Sequence, residues 1–219
     1  MQREWEESDY QIRNIIKKGI LMATIPVTSI LYPTLNVYRE DINVMKMPID
    51  NIISFNKYFV IPYVGWYAYI FFFLLLLCIL DSDEYFKLLI TLNVGILICY
   101  VIYYFYPTYV ARPIIEDKDI FSRLVLWVYG RDNPYNCMPS IHVLNSMLVL
   151  LFVNNSSKIS SSFKMTTDII TILISLSTMF IKQHYFIDVI VSIGLSLSLF
   201  YSMNWIWKLI KDKRKKAKI

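Results

Sequence analysis

The amino-acid sequence predicts an all-α polytopic membrane protein: about six transmembrane helices in a bundle, with a polar active site at its outer face. Three observations carry that expectation. The chain of 219 residues is 56% hydrophobic, with a mean hydropathy of +0.46. Uncharged apolar runs such as Tyr67 to Leu80 recur along it, and soluble domains do not normally carry them. Both histidines lie in short polar clusters beside the ends of such runs, where ionisable groups are costly and mark function. A single membrane-embedded domain over residues 1–219 follows, since no internal repeat divides the chain. Its motif region covers about residues 105–194, and residues 208–219 form a basic tail.

The first span is expected from Ile20 to Asn36, interrupted by Pro26 and Pro33. The second runs from Tyr63 to Leu80 and the third from Leu88 to Tyr104. A polar stretch from Tyr106 to Asn136 follows, with an amphipathic piece at Phe121 to Tyr129. The fourth span is Pro139 to Val153, the fifth Ile169 to Ile181 and the sixth Phe186 to Leu209. Spans four and five are short against the roughly 20 residues a bilayer requires. Polar ends dipping into a shared, water-filled pocket would account for that.

Orientation follows from the 22 Lys and Arg residues. With the N-terminus inside, most of them, including Arg13, Lys17, Lys18, Lys158, Lys164 and the tail from Lys208 to Lys218, fall on the cytoplasmic side. Arg39, Lys46, Lys57, Arg112, Lys118, Arg123, Arg131 and Lys182 fall on the other. Both termini are therefore expected in the cytoplasm and the active site outside. The tail suits anionic cytoplasmic lipid and supplies most of the net charge of +5, so no nucleic-acid partner is expected. The start, with Glu4, Glu6 and Glu7, is acidic where a secretory signal is basic, and no cleaved leader is read there. Abundant Ile, Lys, Asn and Tyr point to an AT-rich bacterial genome and hence a bacterial cell membrane. Cys78, Cys99 and Cys137 are scattered, without metal-ligand or redox spacing.

The chemistry gathers in three clusters on the outer side. They are Tyr106 to Pro113 with Arg112, Asn136 to His142 with Ser140, and Lys182 to Asp188 with His184. His184 and Asp188 are four apart, so a helix beginning near His184 puts them on one face. A carboxylate on one ring nitrogen fixes the tautomer and leaves the other as base or nucleophile; a helix-end ion pair without chemistry is the plainer alternative. Pro139 and Ser140 read as a helix start, where free backbone N–H groups and the helix dipole favour an anion. Ser140 adds a hydroxyl, and His142 projects from the same first turn. Arg112 and Lys182 offer positive charge to phosphate oxygens, although each alone also reads as a headgroup-level cation. The set suits phosphoryl transfer by positioning and charge stabilisation, with no metal or cofactor required. Two histidines and a carboxylate are also a zinc donor set, but the spacing of His184 and Asp188 is better explained as a relay.

Arg112-Pro113, then Pro139-Ser140-Ile141-His142, then His184 with Asp188 resemble, in order and spacing, the signature motifs of the type 2 phosphatidic acid phosphatase superfamily. The resemblance implies that His184 attacks phosphorus and forms a phosphohistidine held in orientation by Asp188. It implies that His142 protonates the leaving alcohol and then activates the acceptor, with Arg112 and Ser140 on the phosphate oxygens. The phosphatase form has a lysine seven residues before the arginine, where this chain has Phe105. It has an arginine six residues before the second histidine, where this chain has Thr178. With Ser177-Thr178 and Gln183-His184-Tyr185, these departures resemble the inositol phosphoceramide synthase-like branch; Lys182 supplies part of the missing charge. A lipid phosphatase acting on a phosphomonoester or pyrophosphate is the first expectation. A lipid phosphotransferase is the second, and both use a lipid phosphate as partner in the membrane. An ion or solute transporter is the third, and the absence of a visible inverted repeat speaks against it.

Overall fold

A chain in hydrocarbon must satisfy its backbone N–H and C=O groups within each segment, so apolar runs here become helices. In the computed structural model, residues 12–217 are described, and among them there are seven helices and no strand. In chain order these are α1 (Ile12–Leu35), α2 (Val60–Leu80), α3 (Ser82–Phe105), α4 (Ile120–Arg131), α5 (Ile141–Asn155), α6 (Ser161–Phe180) and α7 (Phe186–Lys216). All but α4 and α5 are long and apolar enough to cross a membrane. The acidic segment Met1 to Ser8 and Lys218 lie outside the described residues.

The shorter α5 is the centre of the bundle and packs against α2, α3, α6 and α7. Phe73 and Leu77 of α2, Leu92 and Ile96 of α3, Leu148 and Phe152 of α5 and Ile174 of α6 are buried together. Lipid tails are as apolar as leucine, so close packing rather than escape from water holds such a core. Gly95 permits the closest approach: a Cβ there would lie 3.1 Å from the Leu144 side chain. At 15 residues, α5 is about 23 Å long, short of a hydrocarbon core of about 30 Å. Its first turn carries His142.

Three boundaries differ from the sequence expectation, each for a physical reason. α1 begins before Ile20, because Arg13, Lys17 and Lys18 interrupt the apolar run without interrupting the helix; a short 3-10 turn at Leu21–Ala23 does break it. The fifth span is not short. It starts at Ser161, since Thr166 and Thr167 return their hydroxyls to the carbonyls of Ser162 (2.9 Å) and Phe163 (2.8 Å). α7 continues past Leu209 to Lys216, because Lys and Arg are good helix formers and suit a helix C-terminus.

The helices alternate in direction, so the start of α1 and the end of α7 share one end of the bundle. There Lys18 Nζ donates to Ser82 Oγ (2.6 Å) and Lys211 pairs with Asp83 (2.5 Å). The loops of residues 36–59, 106–119, 132–140 and 181–185 gather at the opposite end. α4 joins them: Asp119 caps it, accepting from the N–H groups of Phe121 (2.9 Å) and Ser122 (3.0 Å). The Lys57 ammonium bonds the same carboxylate and, with those N–H groups, holds it at about 2. Its apolar side buries Val125 and Val128 against Val60 and Tyr63 of α2.

Candidate active site

The loop before α5 is fixed by its backbone. Asn136 takes a left-handed conformation (φ 54°), which asparagine tolerates better than most residues. Its N–H donates to the Thr108 carbonyl (2.7 Å), and Thr108 Oγ1 accepts from the N–H groups of Cys137 (2.8 Å) and Met138 (3.0 Å). The Tyr103 hydroxyl donates to the Pro139 carbonyl (2.5 Å). Pro139 itself precedes the helix rather than entering its first turn. Ser140 is the N-cap, fully buried, with Oγ accepting from Val143 N–H (3.5 Å).

The turn between α6 and α7 is set by Lys182, also left-handed (φ 56°). The N–H groups of Gln183 (2.9 Å) and His184 (3.0 Å) both donate to the Thr178 carbonyl. Thr178 is fully buried, so this position, where a cation was noted as missing, serves as a backbone anchor for His184. Asp188 lies in the first turn of α7 and accepts from Tyr185 N–H through Oδ2 (2.9 Å).

These two loops converge on His184. Its Nδ1 lies 2.7 Å from the Cys137 carbonyl oxygen and 3.4 Å from Asp188 Oδ2. A carbonyl only accepts, so Nδ1 carries a proton, and in the neutral ring Nε2 is the nitrogen with the lone pair. Orientation of the ring thus comes first from the Cys137 carbonyl and second from Asp188. His142 stacks against Tyr63 (4.2 Å between centroids, 22° between planes) and against Trp66 (4.3 Å). His142 Nε2 and Asp188 Oδ1 are buried and have no partner among the described residues.

Both histidines open onto one cavity of about 300 Å³, walled largely by aromatic rings of α1, α2 and α3. Arg112 approaches from behind. One guanidinium nitrogen donates to the Asp132 carbonyl (2.7 Å), the other to Gln183 Oε1, and the group lies 4.4 Å from the Tyr129 ring centroid. Arg112 Nε and Gln183 Nε2 are buried and unpartnered among the described residues. Lys182 does not join them. Its ammonium turns to the carbonyl oxygens of Ile53 and, at 3.4 Å, Asp50, and burial pushes it below its ordinary pKa. The left-handed turn that presents His184 is what points Lys182 away.

Sequence reasoning missed the cation that lines the cavity, Arg131, which lies 4.6 Å from the Trp127 ring centroid. It also missed Asp132 on the cavity wall, where Asn136, the first residue of the second polar cluster, lies too. Nothing in the spacing of Arg131 and Asp132 marks them; only their place at the end of the polar stretch put them near the site. Among the described residues, no group of three His, Cys, Asp or Glu residues is placed to hold a metal ion.

Fold and site together define a polytopic helical membrane protein whose ionisable groups surround a histidine-lined cavity at one end of its bundle. The family model described as PAP2 superfamily matches residues 54–202, more than half of the chain and every residue of the histidine site. The chain belongs to the PAP2 superfamily and is a lipid enzyme of the phosphatase or phosphotransferase type. Neither the curated proteins nor the solved structures gave a match.

Proposed function

We propose that the protein is an integral-membrane phosphatase that hydrolyses a lipid phosphomonoester or pyrophosphate through a phosphohistidine. The observation that carries this reading is the pairing of the two histidines at one cavity, one of them braced on Nδ1 by a carbonyl and a carboxylate. His184 Nε2 attacks phosphorus, and the P–O bond to the leaving group breaks as His142 gives that oxygen a proton. His142 then takes a proton from water, whose oxygen attacks the phosphohistidine and returns His184 Nε2 to its free state. Arg112, through Nε and through Gln183, and the first turn of α5 capped by Ser140 stabilise the phosphate oxygens. No step requires a cofactor.

Phosphotransfer to an alcohol is the second reading, and the neutral residues Phe105 and Thr178 favour it. Water and an alcohol compete for the same phosphohistidine, so the test offers both. Purified protein is given labelled lipid phosphate with and without a lipid alcohol. Free phosphate in both arms supports hydrolysis; a new phospholipid in the second arm supports transfer. Absence of any acid-labile phosphoprotein during turnover would sink both. We further place the site outside a bacterial cell membrane and both termini in the cytoplasm, on the strength of the basic residues of α7 at the end opposite the site. Tags at either terminus are then protected from external protease in intact cells, and cleavage of either tag overturns that orientation.

A further inference from the structure

The cavity that receives the reacting phosphate also presents a carboxylate, which repels phosphate and so calls for another role. Asp132 follows α4 and is held by two partners on one oxygen. Oδ1 accepts from the Tyr32 hydroxyl (2.7 Å) and from Asn36 Nδ2 (2.7 Å). Among the described residues, Oδ2 has only the Tyr63 hydroxyl, at the long distance of 3.5 Å. Beside it on the same wall, Asn136 is 3% exposed, and its Oδ1 is buried with no partner among the described residues. Its amide nitrogen is used by the Leu35 carbonyl, which fixes Oδ1 as the free atom. One weakly bonded acceptor and one unpartnered one therefore stand together in a cavity walled largely by aromatic rings.

Buried acceptors left without donors cost free energy, and a site built with them rejects a ligand that cannot supply the donor. We infer that Asp132, with Asn136 beside it, is the specificity-determining residue of this cavity. It selects phosphate esters whose organic part carries a hydrogen-bond donor, hydroxyl or ammonium, close to the phosphate. The aromatic wall around it suits either the C–H face of a hydroxylated group or the charge of an ammonium. This inference rests on the proposed function for the placement of the phosphate, and names which phosphate esters enter.

Asp132→Asn tests it with little structural disturbance, because the amide oxygen can still accept from Tyr32 and Asn36 while Oδ2 becomes a donor. The probes are dodecyl phosphate and its analogues bearing a hydroxyl or an amino group on the carbon next to the ester carbon. Binding is read from the fluorescence of the cavity tryptophans in a His184→Ala background, in which turnover cannot interfere. The expected result is preference for a donor-bearing ester over dodecyl phosphate, reduced about tenfold by Asp132→Asn. Asp132→Glu, which keeps the carboxylate, retains the preference. A purely structural Asp132 would weaken all three esters equally and leave their ratio unchanged, and that outcome overturns the inference. So does equal binding of the three esters before Asp132 is altered. Turnover by the unaltered enzyme is a separate reading: donor preference without phosphate release would sink the proposed function and leave the selection by Asp132 standing.

Discussion

The two ends of the bundle treat their polar groups in opposite ways. At the end that holds both described chain ends, buried charge is mostly paired within the protein, with Glu84 Oε2 left over among the described residues. Lys87 of α3 bonds Glu84 and donates to Asn204 Oδ1 of α7 (2.7 Å), while Asn155 of α5 donates to the same Glu84 oxygen (3.0 Å). Asp81 accepts from Ser156 (2.7 Å). At the other end, His142 Nε2, Asp188 Oδ1, Arg112 Nε, Gln183 Nε2 and Asn136 Oδ1 are all buried without a partner among the described residues. A polar group buried alone costs free energy. The first end is thus a clasp that joins three helices, and the second holds the unpartnered atoms that the proposed function assigns to a phosphate ester.

The sharpest way to break this contrast is to remove the reacting groups. His184→Ala and His142→Ala should each lower turnover by about 10⁴-fold or more. Melting temperature should fall as well, since His142 gives up its stack on Tyr63 and Trp66, and His184 its contacts to the Cys137 carbonyl and Asp188. A phosphate-release assay beside a melting curve checks both, and near-normal turnover by His184→Ala would remove the mechanism.

The mirror experiment is Lys87→Met. It strands Glu84 inside the clasp, and breaking a buried pair on one side costs about 3–5 kcal/mol. The expected result is a large drop in melting temperature with KM unchanged for the molecules that remain folded. Equal stability would mean that the clasp is hydrated and of little weight.

Asp188→Asn comes next. The Cys137 carbonyl, closer to His184 Nδ1 than Asp188 is, continues to hold the tautomer. The substitution should therefore lower kcat by about 10–100-fold rather than abolish it. A loss as complete as that of His184→Ala would show that Asp188 does more than share the orientation.

What the sequence made legible divides along similar lines. The spans could be read because uncharged runs long enough for a bilayer are rare, and His142, His184 and Asp188 because ionisable groups beside such runs are rare too. Helix ends were read less well. Hydropathy stops where charge or hydroxyls begin, whereas the helix continues, as at Ser161 and Lys216. Asp132 could not be read at all, since its meaning depends on Tyr32, a hundred positions away in the chain. The Cys137 carbonyl was hidden for a simpler reason: a backbone atom leaves no mark in the residue pattern.

Lys182 and Arg131 give the finest comparison, because the sequence favoured the first as a phosphate clamp and the structure lines the cavity with the second. Lys182→Met removes two carbonyl contacts but also relieves an ammonium that burial disfavours, so the two effects oppose. Its turnover should stay within about threefold of the unaltered enzyme. Arg131→Met removes the cation that lines the cavity, with an expected rise in KM of about tenfold. Measured on one substrate, the pair orders the two cations without altering either histidine. A larger loss from Lys182→Met than from Arg131→Met would mean that Lys182 leaves its carbonyls when phosphate arrives, and that the sequence reading was the better guide there.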